Sequence, residues 1–163
     1  MKMKWIIICC CSVLLVGGGI LAFVNQSSQD SSDVMQFAVF PTGTSDETYY
    51  FTLNQEGTLK CAVGERKGDD IKQNNFLKKI VNSSEKLLSS TDMQILIDLS
   101  NELEVSGYDS KKPIVDDSWD VALIYNGKVY EMNLHVSDSE MFKKLVDKII
   151  ELSPIPVDLH GWA

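Results

Sequence analysis

Asp158 and His160 stand two residues apart in the run Ser153-Pro154-Ile155-Pro156-Val157-Asp158-Leu159-His160-Gly161-Trp162-Ala163. In an extended chain residues i and i+2 point the same way, so this carboxylate and imidazole would share a face, as half of a metal site would. No further Cys or His is placed to complete such a site. A second group is Asp120, Glu131, Asn133 and His135, which a hairpin would bring to one face and which could bind an ion or serve acid–base chemistry. The plainer account is a sheet face that is polar because water touches it. Asp116, Asp117 and Asp120, and separately Asp69 and Asp70, are clustered carboxylates of the type that hold calcium through several oxygens. Neither cluster has the spacing of a known calcium loop, so both read as solvated turns. Cys61 alternates with Leu59 and Val63 and should share their buried face as an inert thiol. No nucleophile elbow, phosphate loop or HExxH is present. The expectation is therefore a chain that is not an enzyme and has no cofactor. The metal-dependent alternative uses the Asp120, Glu131 and His135 face.

The elements that position these residues follow from pattern. Asn126-Gly127 is the preferred pair for a two-residue type I′ turn, which sets Tyr125 opposite Lys128. Trp119, Val121 and Leu123 then share an apolar face with Leu134, Met132 and Tyr130. Two helices are available to cover it. Thr91 opens the first with a capping box to Gln94, Ile95, Leu96, Leu99 and Leu103 form its stripe, and Gly107 ends it as a left-handed cap. Ser137 to Glu140 is a second capping box, ahead of Met141, Phe142, Leu145, Val146, Ile149 and Ile150, and Pro154 stops that helix. Val34 to Phe40, Tyr49 to Leu53 and Thr58 to Val63 read as strands, the last two joined by Asn54-Gln55-Glu56-Gly57. Asp70 to Val81 reads as a weak helix packing through Ile71, Phe76, Leu77 and Ile80. The tail alternates Ile155, Val157 and Leu159, an extended piece with one face on the domain, and its prolines confine it to an edge. Leu159 and Trp162 anchor it in one reading. In the sharper one, Ile155, Val157, Asp158, Leu159, His160 and Trp162 form a recognition element for another protein.

The predicted fold class is α+β, ordered hairpin, helix, hairpin, helix, with a small mostly antiparallel sheet, helices on one face and an N-terminal transmembrane helix ahead of it. That last element rests on Trp5 to Val24, 20 residues without a charge, which as a helix span roughly 30 Å, the thickness of a hydrocarbon core. The predicted division is residues 1–24 as signal anchor, 25–33 (NQSSQDSSD) as a polar tether, and 34–163 as one domain. Lys2 and Lys4 precede the apolar run and Asp30 and Asp33 follow it, so the N-terminus stays cytoplasmic and the domain lies outside. The alternatives are secretion after cleavage of a signal peptide and, more weakly, acylation at Cys9, Cys10 or Cys11. Of 15 basic residues only Lys2 and Lys4 precede Val24, whereas all 23 acidic ones follow it. The remainder thus carries thirteen positive charges against 23 negative, a net of −10. Such a domain repels nucleic acid, whose phosphates demand basic patches, so no nucleic-acid partner is expected.

Tyr50-Phe51-Thr52-Leu53-Asn54, Tyr125-Asn126-Gly127-Lys128-Val129-Tyr130 and the LSPIPVDLHGWA ending of Leu152 to Ala163 resemble a group of small anchored or secreted bacterial proteins of unassigned function. The resemblance spans roughly residues 35–163. It implies an extracytoplasmic address and carries over no catalytic or binding residue. The expected partners are thus a membrane through residues 5–24 and a protein or cell-envelope component bound by the domain. An inhibitor or immunity-type protein that plugs a partner's active site is the other reading. Its contacts would come from residues 108–118 or 153–163.

Overall fold

The computed structural model describes residues 33–108, 110, 115, 117–136 and 139–160. Six strands and two helices follow in the order β1 Asp33–Pro41, β2 Thr48–Asn54, β3 Thr58–Arg66, β4 Leu77–Leu87, α1 Ser90–Val105, β5 Trp119–Tyr125, β6 Lys128–Asn133 and α2 Glu140–Glu151. They form one sheet, ordered β4-β3-β2-β1-β5-β6, in which every neighbouring pair is antiparallel.

Local chemistry sets the turns. Asn54 closes the β2–β3 connection by accepting from the Glu56 and Thr58 N–H groups at 3.1 and 2.9 Å, and Gly57 takes a left-handed φ of 85°. Asn126 and Gly127 both have positive φ, as a type I′ turn requires, and Tyr125 pairs with Lys128, Leu123 with Tyr130 and Val121 with Met132. This is the register read from the sequence. Each helix is capped two residues from the expected position, at Ser89 in place of Thr91 and at Ser139 in place of Ser137. Ser89 caps α1, its hydroxyl accepting from the Asp92 N–H at 3.0 Å, and Ser139 caps α2 by accepting from Phe142. Gly107 does follow α1 with φ 68°.

The sheet has two unlike faces. Phe37, Val39, Phe51, Leu53, Leu59, Cys61, Val121, Leu123 and Met132 look toward the helices and pack on Leu96 and Leu103 of α1 and Phe142, Leu145, Val146 and Ile149 of α2. Burying each such side chain is worth about 1.5–3 kcal/mol. The opposite face carries Ala38, Phe40, Ala62 and Ala122, covered by Ile71, Phe76 and Leu77. Its lid is the segment from Lys67 to Phe76, whose ends meet through the Lys67 N–H to Phe76 C=O bond at 2.9 Å, a compact loop of the Ω type.

The expected architecture needs correcting in two respects. First, the order is four strands, helix, hairpin, helix. Residues 70–81 hold no helix: Ile71 and Phe76 lie in the Ω-type loop, Asn75 turns the chain with φ 56°, and β4 begins at Leu77. Isolated short helices are marginal, and here pairing with β3 satisfies the backbone instead. Second, no helix among the described residues is long and apolar enough to cross a membrane. α1 has 16 residues and includes Asp92, Asp98, Glu102 and Glu104, and α2 has only 12. The run Trp5 to Val24 and residues 25–32 of the expected tether lie outside the described residues, and Asp33 opens β1.

Candidate functional site

The polar group on β5 and β6 proves to be a structural knot. Asp120 and Asn133 are buried, not wet. The Asn133 amide donates to Asp120 Oδ1 at 2.8 Å, and Asn133 Oδ1 accepts from the Ser118 hydroxyl at 3.0 Å and the His135 N–H at 3.1 Å. Thr42 Oγ1 donates to the Ser118 carbonyl and accepts its N–H at 2.9 Å, which ties the end of β1 to the start of β5. Polar atoms so buried need partners of this kind, and they have them internally. His135 is exposed in the turn after β6 and joins this knot through its backbone N–H. Glu131 is half-buried, and its backbone N–H and C=O are held by Ser110 and Tyr108. Asp120, Glu131 and His135 therefore do not meet as a site. Asp116 lies outside the described residues. Asp70 accepts from the Lys72 N–H at 2.9 Å, and Asp69 pairs with Arg66. No group of three His, Cys, Asp or Glu that could hold a metal ion occurs among the described residues.

The tail after α2 is docked. Ile155 is buried, and Val157 and Leu159 pack against the helix-side core. The Trp119 indole N–H donates to the His160 carbonyl at 3.0 Å, and the Asp158 N–H donates to the Tyr49 hydroxyl at 3.2 Å. The Tyr49 and Trp119 rings lie 6.4 Å apart beneath it. Three of the residues assigned to recognition thus face inward. Asp158 and His160 remain outside, with their carboxylate and ring 3.3 Å apart and both largely exposed. Trp162 lies outside the described residues.

Two features escaped the sequence reading. Arg66 is 6 % exposed. Its guanidinium lies over the Phe40 ring, 4.5 Å from the centroid, and donates to Asp69 at 3.0 Å and to the carbonyls of Thr44 and Pro41. An arginine three residues beyond the expected strand Thr58 to Val63 signals nothing of this; only the fold brings four partners around it. Because these donors are used internally, Arg66 holds the β1–β2 loop and the Ω-type loop together.

The second is β4. It closes one side of the sheet and pairs only with β3 among the described strands. Every residue from Lys78 to Glu85 is exposed, and Ile80, Val81 and Leu87 are 50 %, 73 % and 72 % exposed. Gly64 makes the approach of β4 possible: a Cβ there would lie 1.9 Å from the Lys79 carbonyl oxygen, beside a shift in the strand register. Lys78 pairs with Glu65, whose carboxyl is held below its ordinary range first by that hydrogen bond. The other edge is treated differently. On β6 the Tyr108 hydroxyl donates to the Glu131 carbonyl at 3.0 Å, and Ser110 accepts the Glu131 N–H at 3.1 Å. Long edge strands with exposed apolar side chains are templates for pairing with another chain. The paired β-branched residues Ile80 and Val81 were the signal for a strand here, and the helical reading of residues 70–81 hid it.

A scan against protein-family models matches no family, and a search of curated proteins gives no match to this chain.

Proposed function

We propose that the described domain is a non-enzymatic binding module for a protein or cell-envelope component. The observation that carries this reading is the asymmetry of the sheet edges. One is held at Glu131 by the side chains of Tyr108 and Ser110 after α1, and the other is an eleven-residue strand, β4, exposed along almost its whole length. An unpaired row of backbone N–H and C=O groups flanked by apolar side chains is suited to holding an extended chain. An address outside the cytoplasm accords with the uncharged run Trp5 to Val24 behind Lys2 and Lys4, a pattern that a retained segment and a cleaved leader share.

The test is capture from envelope extracts with the full chain as bait, beside a version ending at Ser153. The binding reading expects an identified partner that is retained saturably by the full chain. Retention by both versions would locate the contact away from the tail. If neither version retains a partner at any salt concentration, the binding reading fails.

A further inference from the structure

Charge is unevenly spread over this acidic chain. Residues 60–86, which span β3 beyond its first two residues, the Ω-type loop and nearly all of β4, hold seven basic residues against four acidic ones. Everything else after Val24 holds six against nineteen. The open edge is thus the basic margin of an otherwise strongly negative domain. β4 itself carries Lys78, Lys79 and Lys86 and one acid, Glu85; Glu65 of β3 pairs with Lys78 and lies opposite Lys79, and Lys60 of β3 lies opposite Glu85 in the register.

We propose that the β4 edge takes an extended acidic polypeptide segment from another protein by strand addition. This rests on the reading of the domain as a binding module and names the partner's chemistry. Main-chain hydrogen bonds to the outward N–H and C=O groups supply affinity, and alternate side chains supply selectivity. Glutamates or aspartates of the incoming strand would meet Lys79 and Lys86, while its apolar residues would cover Ile80, Val81 and Leu87. Eleven strand residues run roughly 36 Å, so a segment of about ten residues fills the edge. A second copy of this chain is a poorer occupant. It would bring two basic margins together, and a two-fold pairing centred on Asn82 sets Lys78 against Lys86 at both ends. Nucleic acid is acidic too, but the surrounding net charge repels a long polyanion, and a phosphate backbone cannot continue a β-ladder.

The experiment uses the full chain and three synthetic peptides of about ten residues. The first alternates glutamate with valine, the second replaces each glutamate with lysine, and the third repeats the first with alternate backbone nitrogens methylated so that they cannot donate. Binding is read by fluorescence anisotropy, and contact by protection of β4 amides from hydrogen exchange. The acidic peptide is expected to bind saturably, to protect residues 78–87, and to weaken as salt rises. The double variant K79E/K86E changes the exposed Lys79 and the half-buried Lys86; its circular dichroism should match the wild type, while it loses roughly tenfold or more in affinity. Equal binding by the lysine peptide or by the methylated peptide overturns the proposal, and so does a lack of saturation up to about 1 mM. An identified envelope partner retained equally by K79E/K86E overturns the β4 assignment while leaving the binding reading intact. Failure of both capture and peptide binding removes both.

Discussion

Replacing Trp119 with alanine probes the joint between the sheet and the tail. The indole is buried, lies beside the Tyr49 ring and donates to the His160 carbonyl. Truncating a buried tryptophan to alanine costs about 3–5 kcal/mol through lost transfer energy and the cavity left behind. Losing the hydrogen bond adds about 1 kcal/mol, because the His160 carbonyl is near the surface and regains water. The sum, about 4–6 kcal/mol, is a large part of the 5–15 kcal/mol that holds a typical domain together. Phenylalanine at the same position keeps most of the ring area and loses the donor, so it should cost only about 1–2 kcal/mol. Urea melts followed by far-ultraviolet circular dichroism give both values, and hydrogen exchange at residues 155–160 reports whether the tail detaches. With either substitution the Asp158 amide, held by the Tyr49 hydroxyl, should exchange faster. A cost below about 1 kcal/mol for the alanine variant would refute the placement of Trp119 in the core, since no buried indole is removed so cheaply.

Two further outcomes follow from the geometry. Gly64→Ala forces a Cβ against the Lys79 carbonyl oxygen, and the β3–β4 backbones must part, at about 1–3 kcal/mol. The same urea melts measure it, and faster exchange confined to β4 would show where the strain goes. Burial pushes the Cys61 thiol from 9.0 up to about 12, against a smaller opposing contribution from Ser153, so a thiol reagent at pH 8 should react only as fast as the domain opens. The unfolded thiol ionises near pH 9 and the folded one does not. This contribution to stability is therefore complete below pH 9 and is lost as pH rises toward 12, which alkaline melts of wild type and Cys61→Ala would separate.

The hairpin from Trp119 to Asn133 was legible residue by residue, because a type I′ turn at Asn126-Gly127 leaves a single register and the period of two then assigns each face. The stripe of α2 was legible for the same kind of reason: Phe142, Leu145, Val146 and Ile149 repeat at helical spacing and are all buried. So was the inward alternation of Ile155, Val157 and Leu159. Charge composition alone marked the domain as acidic, since counting needs no fold. β4 was misread because the stretch from residue 70 to 81 offers apolar residues compatible with either period, and the choice lay with β3, which needed a partner on its free side. The alternation of β5 and β6 reads Asp120 and Asn133 as part of a solvated face, whereas both are buried and bonded to each other and to Ser118, and the Ω-type loop packs on Ala38, Phe40, Ala62 and Ala122 of the same sheet. The bonds of Arg66 to the Thr44 and Pro41 carbonyls, and those of Tyr108 and Ser110 to the β6 edge, join residues more than twenty positions apart in sequence. Local pattern determines elements through the spacing of side chains along a single backbone. Which edge stays open depends on how strands order across the sheet, and that is decided only when distant segments compete to bury the same surface.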